Sequence, residues 1–163
     1  LYNLLCRLDI VEPIVGCGHL RINKLNEILS FVTPTLALVD SRSICGIEHL
    51  HQAATLSLTA HNNGYNLSND KSTEVLLYLT AQRQIAKALK LAGISDNTKS
   101  IGWVSFDTVP ADFLKVVDKD DSVISLSKFD YSKFGNDIDV HLEDQLKQKI
   151  IMTRTATLPV QPR

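Results

Sequence analysis

The histidines and acidic residues are the groups that could hold a metal ion or transfer protons. Residues 48–51 (Glu-His-Leu-His) resemble a metal cluster, but side chains two apart on a helix point to different faces, so His49 and His51 cannot share one ion. No HExxH pattern is present. The acidic groups at 118–121 and 137–139 lie in polar stretches that offer no burial for acid–base catalysis. We therefore predict no metal site and two partly exposed helix histidines.

Patterns typical of nucleophiles and phosphate loops are missing from the sequence. Cys6, Cys17 and Cys45 form no CxxC pair, and there is no GxSxG elbow. Cys45 lies near a predicted helix start, where a thiol pKa can fall, but a buried, unreactive thiol is the commoner case. Gly16-Cys17-Gly18 lacks the rest of a GxGxxG or GxxxxGK loop. The sequence thus predicts no ATP or dinucleotide site and no cofactor.

Polar and cationic side chains on both sides of an apolar run at 75–79 form the strongest candidate binding site. They are Asn69, Lys71, Ser72, Arg83, Gln84 and Lys87. The last three lie at a predicted helix start, where free amides and a partial positive charge favour phosphate. The alternative interpretation is a solvated helix face with no ligand.

Composition and charge limit the partners of such a site. The chain has 163 residues, of which 44% are hydrophobic, and 17 basic against 18 acidic residues give a net charge of -1. This balance excludes a strongly basic nucleic-acid binder and a disordered chain. No apolar run nears the roughly 18 residues of a membrane span, and residues 1–7 lack a signal-peptide pattern. We expect one domain over residues 1–163 with frayed last residues, no membrane contact, and a cytoplasmic location (also nuclear in a eukaryote).

Hydrophobic periodicity predicts the elements that position the candidate site. Strands are expected at 11–20, 35–39, 74–80, 101–106 and 123–126, and helices at 22–29, 44–60, 82–92, 110–117 and 141–153. Pro13 places the first strand at a sheet edge or at its own start. The predicted fold is therefore a single α/β domain, with a mixed sheet of about four to five strands and packed helices.

The run at 74–80 decides the topology. Its continuous apolar residues suit a strand covered on both faces, with a helix as the alternative. As a strand, it would form a parallel βαβ unit with the helix at 82–92 and the strand at 101–106. Thr80 would cap the start of that helix, and a left-handed Gly93 would cap its end.

The order of these segments resembles one protein family. Residues 74–94 (EVLLYLTAQRQIAKALKLAGI) are similar to the hallmark segment of the small kinase-binding subunit of the KEOPS (EKC) complex, the TPRKB-like family. Residues 36–40 (LALVD) and 48–53 (EHLHQA) are similar as well, in the same order and spacing. The resemblance covers residues 36–107 well and returns faintly in the last helix.

The resemblance implies a function. Members of this family are not enzymes; they bind the small atypical kinase/ATPase subunit of the complex that makes threonylcarbamoyl-adenosine in tRNA, and archaeal members hold the single-stranded CCA tail. It implies a mixed α/β sandwich. On this interpretation the six polar residues contact the tRNA 3′ end, with Tyr65 as a further contact, and other KEOPS subunits are met only indirectly.

The kinase contact is expected on the last helix, at Ile150, Ile151 and Met152, which could equally be core. Two rival functions stay open. One is a purely structural kinase-binding adaptor with no RNA contact, which the near-neutral charge favours slightly. The other is a small enzyme, which would need an apolar pocket with a histidine and a strongly shifted carboxylate.

Overall fold

Within residues 12–134, 138–139 and 141–160, which a computed structural model describes, the chain forms four β-strands and six α-helices. In chain order they are β1 (Ile14–Leu20), α1 (Leu25–Leu29), β2 (Leu36–Asp40), α2 (Ile47–Asn63), α3 (Lys71–Thr80), α4 (Ile85–Ala92), β3 (Ser100–Ser105), α5 (Ala111–Lys115), β4 (Val117–Lys119) and α6 (Asp144–Thr157). Helices packed on one sheet make an α/β fold, as predicted. In this part of the chain, no helix is both long and apolar enough to cross a bilayer.

The four strands form one sheet in the order β2-β3-β1-β4, and each described pairing is antiparallel. Pro13 directly precedes β1, an inner strand, so the proline begins the strand rather than marking an edge. Helices α2 and α3 cover one face of the sheet. Helices α1 and α5 cover the other face through Ile28 and Phe113, which pack around Trp103. The expected strand start at Val11 and the frayed residues 161–163 lie outside the described residues.

Gly16 and Gly18 serve strand packing. A Cβ at Gly16 would lie 2.2 Å from the Trp103 ring, and one at Gly18 would lie 2.0 Å from the carbonyl oxygen of Asp118. Only glycine lets β1 approach both neighbours this closely. The Gly16-Cys17-Gly18 motif is therefore explained by the sheet itself.

The strand predicted at 74–80 is wrong, because these residues belong to helix α3. Every residue from Glu74 to Thr80 is buried, since α3 lies against α2, α4 and β2. A helix covered on all sides has the same continuous apolar sequence as a buried strand. The parallel βαβ unit is wrong for the same reason: α3 and α4 form a helical hairpin, and β3 pairs antiparallel with β1 and β2.

The caps of the hairpin also differ from the prediction. Ala81 takes the left-handed conformation (φ 49°) that ends α3, whereas Gly93 is extended (φ -66°). Thr80 does not cap α4, because its hydroxyl donates back to the Leu76 carbonyl 2.7 Å away. The tight turn at Ala81 reverses the chain and brings the end of α4 beside the start of α3.

Strands β1, β2 and β3 and the other helices follow the prediction with shifted ends. Strand β4 (Val117–Lys119) was not predicted, because its residues were expected at the end of a helix and in a polar stretch. The strand expected at 123–126 is wrong. That segment instead forms 3-10 turns at Asp121–Val123 and Leu126–Lys128. Here Asp120 accepts a hydrogen bond from the Ser122 amide 2.8 Å away, a local cap that competes with strand pairing.

Candidate functional site

A groove of about 560 Å³ opens where α2 and α3 end. Its walls are Gly64, Tyr65, Asn66, Leu67, Tyr78, Arg83, Leu158 and Pro159. Two of the residues named from sequence, Arg83 and Tyr65, lie here together. The groove combines a cation, two phenol rings and backbone groups, which suits a ligand with both flat apolar surfaces and negative charge.

Two left-handed turns build the groove. Gly64 (φ 71°) ends α2, and the Tyr65 amide donates back to the Ala60 carbonyl, 3.1 Å away. Ala81 ends α3 in the same way, and the Gln82 amide donates to the Leu77 carbonyl at 3.0 Å. Both turns follow the helix C-cap pattern, in which a left-handed residue redirects the chain. They bring Tyr65 and Arg83 into the lining of one groove.

Glu74 holds the Tyr65 side of the groove in place. This carboxylate is fully buried and accepts hydrogen bonds from the Leu67 amide (3.0 Å) and the Ser68 amide (2.7 Å). A buried carboxylate needs such donors, and amides bonded to it are strongly fixed. Sequence analysis missed this role; the signal was an acidic residue placed directly before an otherwise apolar run.

Arg83 and the tyrosines supply the polar chemistry of the groove. One Nη atom of Arg83 donates to the Leu158 carbonyl at 3.0 Å, which ties the last described residues to the α3–α4 turn. A guanidinium has five N–H donors in a planar fork, so one such bond uses only part of it. Burial raises the pKa of Tyr78 to about 12, so its phenol stays protonated near neutral pH. Tyr65 is 45% exposed and offers a ring face to a ligand.

The remaining predicted site residues lie away from the groove lining. Asn69, Lys71 and Ser72 are at the start of α3, at the other end of a helix about 15 Å long. Ser72 is buried, and its amide donates to the Pro34 carbonyl at 3.1 Å. The Lys71 ammonium lies 5.7 Å from the Phe106 ring centre. The buried Ser72 side chain is therefore corrected from ligand contact to packing.

Gln84 and Lys87 lie on one exposed flank of α4, three residues apart. This flank begins next to Arg83 but is not part of the groove wall. The structure thus divides the predicted set into Arg83 in the groove, two neighbours along α4, and three residues at the far end of α3.

The three residues predicted for partner binding on α6 have different environments. Ile151 is fully buried in a cluster with Cys45, Phe129 and Phe134, so its side chain is corrected from partner contact to core. Ile150 is half-buried against the same cluster. Met152 lines a groove between α2 and α6.

His49 is fully buried, which corrects the expectation of two partly exposed histidines; only His51 is exposed. The His49 Nδ1 accepts from the Cys45 amide (3.3 Å), so the proton of the neutral ring is on Nε2, 3.1 Å from the Thr155 hydroxyl. Burial lowers the pKa of His49 to about 3 and raises that of the Cys45 thiol to about 12. Both groups are held in their neutral, structural forms.

In the described ranges, no group of three His, Cys, Asp or Glu side chains has an arrangement that could hold a metal ion. Asp137, from the second acidic stretch, lies outside those ranges. Asp118, by contrast, forms an ion pair with Arg21 on the protein surface.

Comparison with known proteins identifies the family. No curated protein matches the chain. Residues 21–152, about four-fifths of the sequence, match the family described as kinase binding protein CGI-121. The match includes both helices of the α3–α4 hairpin and most of α6. The chain therefore belongs to the CGI-121 family of kinase-binding proteins.

Proposed function

We propose that this protein is a non-catalytic subunit of the KEOPS complex in threonylcarbamoyl-adenosine modification of tRNA. In this role it binds the small atypical kinase/ATPase subunit and recruits tRNA through its CCA tail, and it meets the other subunits indirectly. It acts in the cytoplasm, and also in the nucleus of a eukaryote. Membership of a kinase-binding family supports the first contact.

The single observation that carries the RNA contact is that Tyr65 and Arg83 line the same groove. Single strands are held by aromatic rings that stack on bases and by a few cations along the backbone. Tyr65 offers the ring, Arg83 offers the cation, and the Tyr78 phenol keeps its proton for hydrogen bonding. A short tail needs no strongly basic surface, so the net charge of -1 is compatible with this role.

Gln84 and Lys87 extend the proposed RNA contact along the exposed flank of α4. Asn69 and Lys71 lie about one helix length from Arg83, so they reach RNA only if the strand continues past the groove. We therefore rank Arg83 first, Gln84 and Lys87 second, and the start of α3 last among RNA contacts.

Charge reversal at Arg83 tests the RNA contact. We expect Arg83→Glu to weaken binding of intact tRNA at least tenfold at low salt, because it replaces the groove cation with an anion. Lys99→Glu makes the same charge change at an exposed residue away from the groove and should leave the affinity within twofold. Binding is measured by gel shift with intact tRNA and with tRNA that lacks its tail.

The alternative is a kinase-binding adaptor without an RNA contact. The bond between Arg83 and the Leu158 carbonyl favours it, because it engages part of the guanidinium within the protein. No binding of either tRNA would support this adaptor, whereas equal affinity for the two tRNAs, or an unchanged affinity of Arg83→Glu, would remove the groove from RNA binding.

A further inference from the structure

Three polar side chains from different strands form a hydrogen-bonded chain at one end of the sheet. The Ser100 hydroxyl lies 2.8 Å from Nδ1 of His19, and Nε2 of the same ring lies 3.2 Å from a carboxylate oxygen of Asp120. Ser100 begins β3, His19 is near the end of β1, and Asp120 directly follows β4. The three residues are far apart in sequence, so no local motif links them.

The register of the sheet explains this arrangement. His19 lies opposite Ser100 on one side and opposite Asp118 on the other, so the three side chains share one face. Asp120, two residues after Asp118, continues the β1–β4 ladder through its amide and is on that face as well. Arg21 forms an ion pair with Asp118, whereas the nearby carboxylate of Asp120 pairs with His19.

The hydrogen bonds determine which ring nitrogen of His19 carries the proton. An ionised carboxylate only accepts, so the proton of the neutral ring is on Nε2, which faces Asp120. Nδ1 is then an acceptor, and the Ser100 hydroxyl donates to it. Hydrogen bonds from Ser122 hold the pKa of Asp120 below its usual value, which keeps this carboxylate ionised near neutral pH. The order is that of a serine, its base and the carboxylate that orients the base, with the two ring nitrogens exchanged.

We propose that Ser100 is a nucleophilic serine that takes the acyl group of small activated esters, with His19 as its general base. Ser100 Oγ forms a bond to the acyl carbon, and its proton moves to Nδ1 of His19. The bond between the acyl carbon and the leaving oxygen breaks, and that oxygen takes up the proton. The products are an acylated serine and the free alcohol. Attack of water on the acylated serine then releases the acid and restores Ser100.

The position of the three groups determines the class of substrate. The side chains of His19 and Asp120 are 53% and 38% exposed, so an acyl donor reaches them directly from solvent. Neither the Tyr65–Arg83 groove nor the groove between α2 and α6 includes these residues. An open site offers few contacts to a large substrate, so a small ester with a good leaving group is the class that fits.

Acetylation by p-nitrophenyl acetate tests the proposal, with Ser127 as an internal control. Ser127 is exposed, and its hydroxyl pairs with that of Ser125 instead of an imidazole. Mass spectrometry of the digested full chain should find acetyl groups on Ser100 at least ~10-fold more often than on Ser127, because a positioned general base accelerates such an attack. His19→Asn should lower acetylation of Ser100 to the level of Ser127. His51→Asn, at an exposed histidine of α2, should leave it unchanged.

Asp120 acts through His19 and is a positioning residue, so its test includes the state of the ring. Asp120→Asn keeps an acceptor for the Ser122 amide and should lower acetylation of Ser100. The ¹⁵N signals of the His19 ring should show an Nε2-protonated tautomer in the wild type and a loss of that preference in Asp120→Asn.

Three results would overturn the nucleophilic serine. They are equal acetylation of Ser100 and Ser127, unchanged acetylation of Ser100 in folded His19→Asn, and a wild-type ring protonated on Nδ1. None of these measurements involves tRNA or the kinase, so they test the serine independently of the proposed function.

Discussion

Helices α3 and α4 are neighbours in one hairpin, yet they use apolar residues in opposite ways. α3 is covered on all sides, and even its carboxylate at Glu74 is buried. α4 buries two alanines and leaves Ile85 and Leu89 in contact with water. The apolar residues of α3 therefore form part of the protein core. The large apolar residues of α4 form an exposed surface of the kind that another molecule can cover.

The largest effect expected from this comparison is on stability. Leu77→Ala in α3 should lower the free energy of unfolding by about 2–5 kcal/mol, because it opens a cavity at a fully buried site. Leu89→Ala in α4 should cost less than about 1 kcal/mol, because half of that side chain is already in water. Urea denaturation measures both changes. Equal losses would mean that α4 is as much a part of the core as α3.

A second test concerns the polar residue inside α3. Glu74→Ala should cost about 1–3 kcal/mol, since it leaves the Leu67 and Ser68 amides without their acceptor. It should also weaken tRNA binding, because those amides hold the wall that carries Tyr65. Glu48→Ala, at an exposed carboxylate in the first turn of α2, is the control for stability. A variant with full stability and full tRNA affinity would contradict this role.

His49 and His51 lie two residues apart on α2, and the first is buried whereas the second is exposed. The burial of His49 makes the stability of the protein depend on pH. The unfolded chain binds a proton at His49 below about pH 6.5, whereas the folded protein resists it until about pH 3. Stability should therefore fall by about 1.4 kcal/mol for each pH unit below 6.5. His49→Asn, which keeps an acceptor for the Cys45 amide, should lose this dependence, and His51→Asn at the exposed site should retain it. Denaturation curves between pH 7.5 and 5 make the comparison.

The sequence predicted most of the helices and strands within a few residues. The amphipathic stripes of α2 and α4 and the short apolar run of β3, which is buried on both faces, gave the correct structures. The run at 74–80 did not, because a short continuous apolar run fits a buried helix as well as a buried strand. Because residues 74–80 form a helix, the predicted parallel βαβ unit is absent from the described sheet, and each of its described strand pairings is antiparallel.

The site was predicted in part for a related reason. Arg83 and Tyr65 were both named, since each is of a type that binds nucleotides. The two residues line one groove because of the left-handed turns at Gly64 and Ala81 and because Glu74 accepts a hydrogen bond from the amide seven residues before it. No local sequence pattern predicts these features. Ser72 and Ile151 were assigned to contact surfaces, whereas packing with residues distant in sequence buries both.

Part of the groove lining comes from Leu158 and Pro159, beyond residue 152, where the family match ends. A fragment trimmed to the matched region would keep Tyr65 and Arg83 but leave the guanidinium without its carbonyl acceptor and the groove open on one side. The groove is therefore built partly from the matched region and partly from residues that follow it.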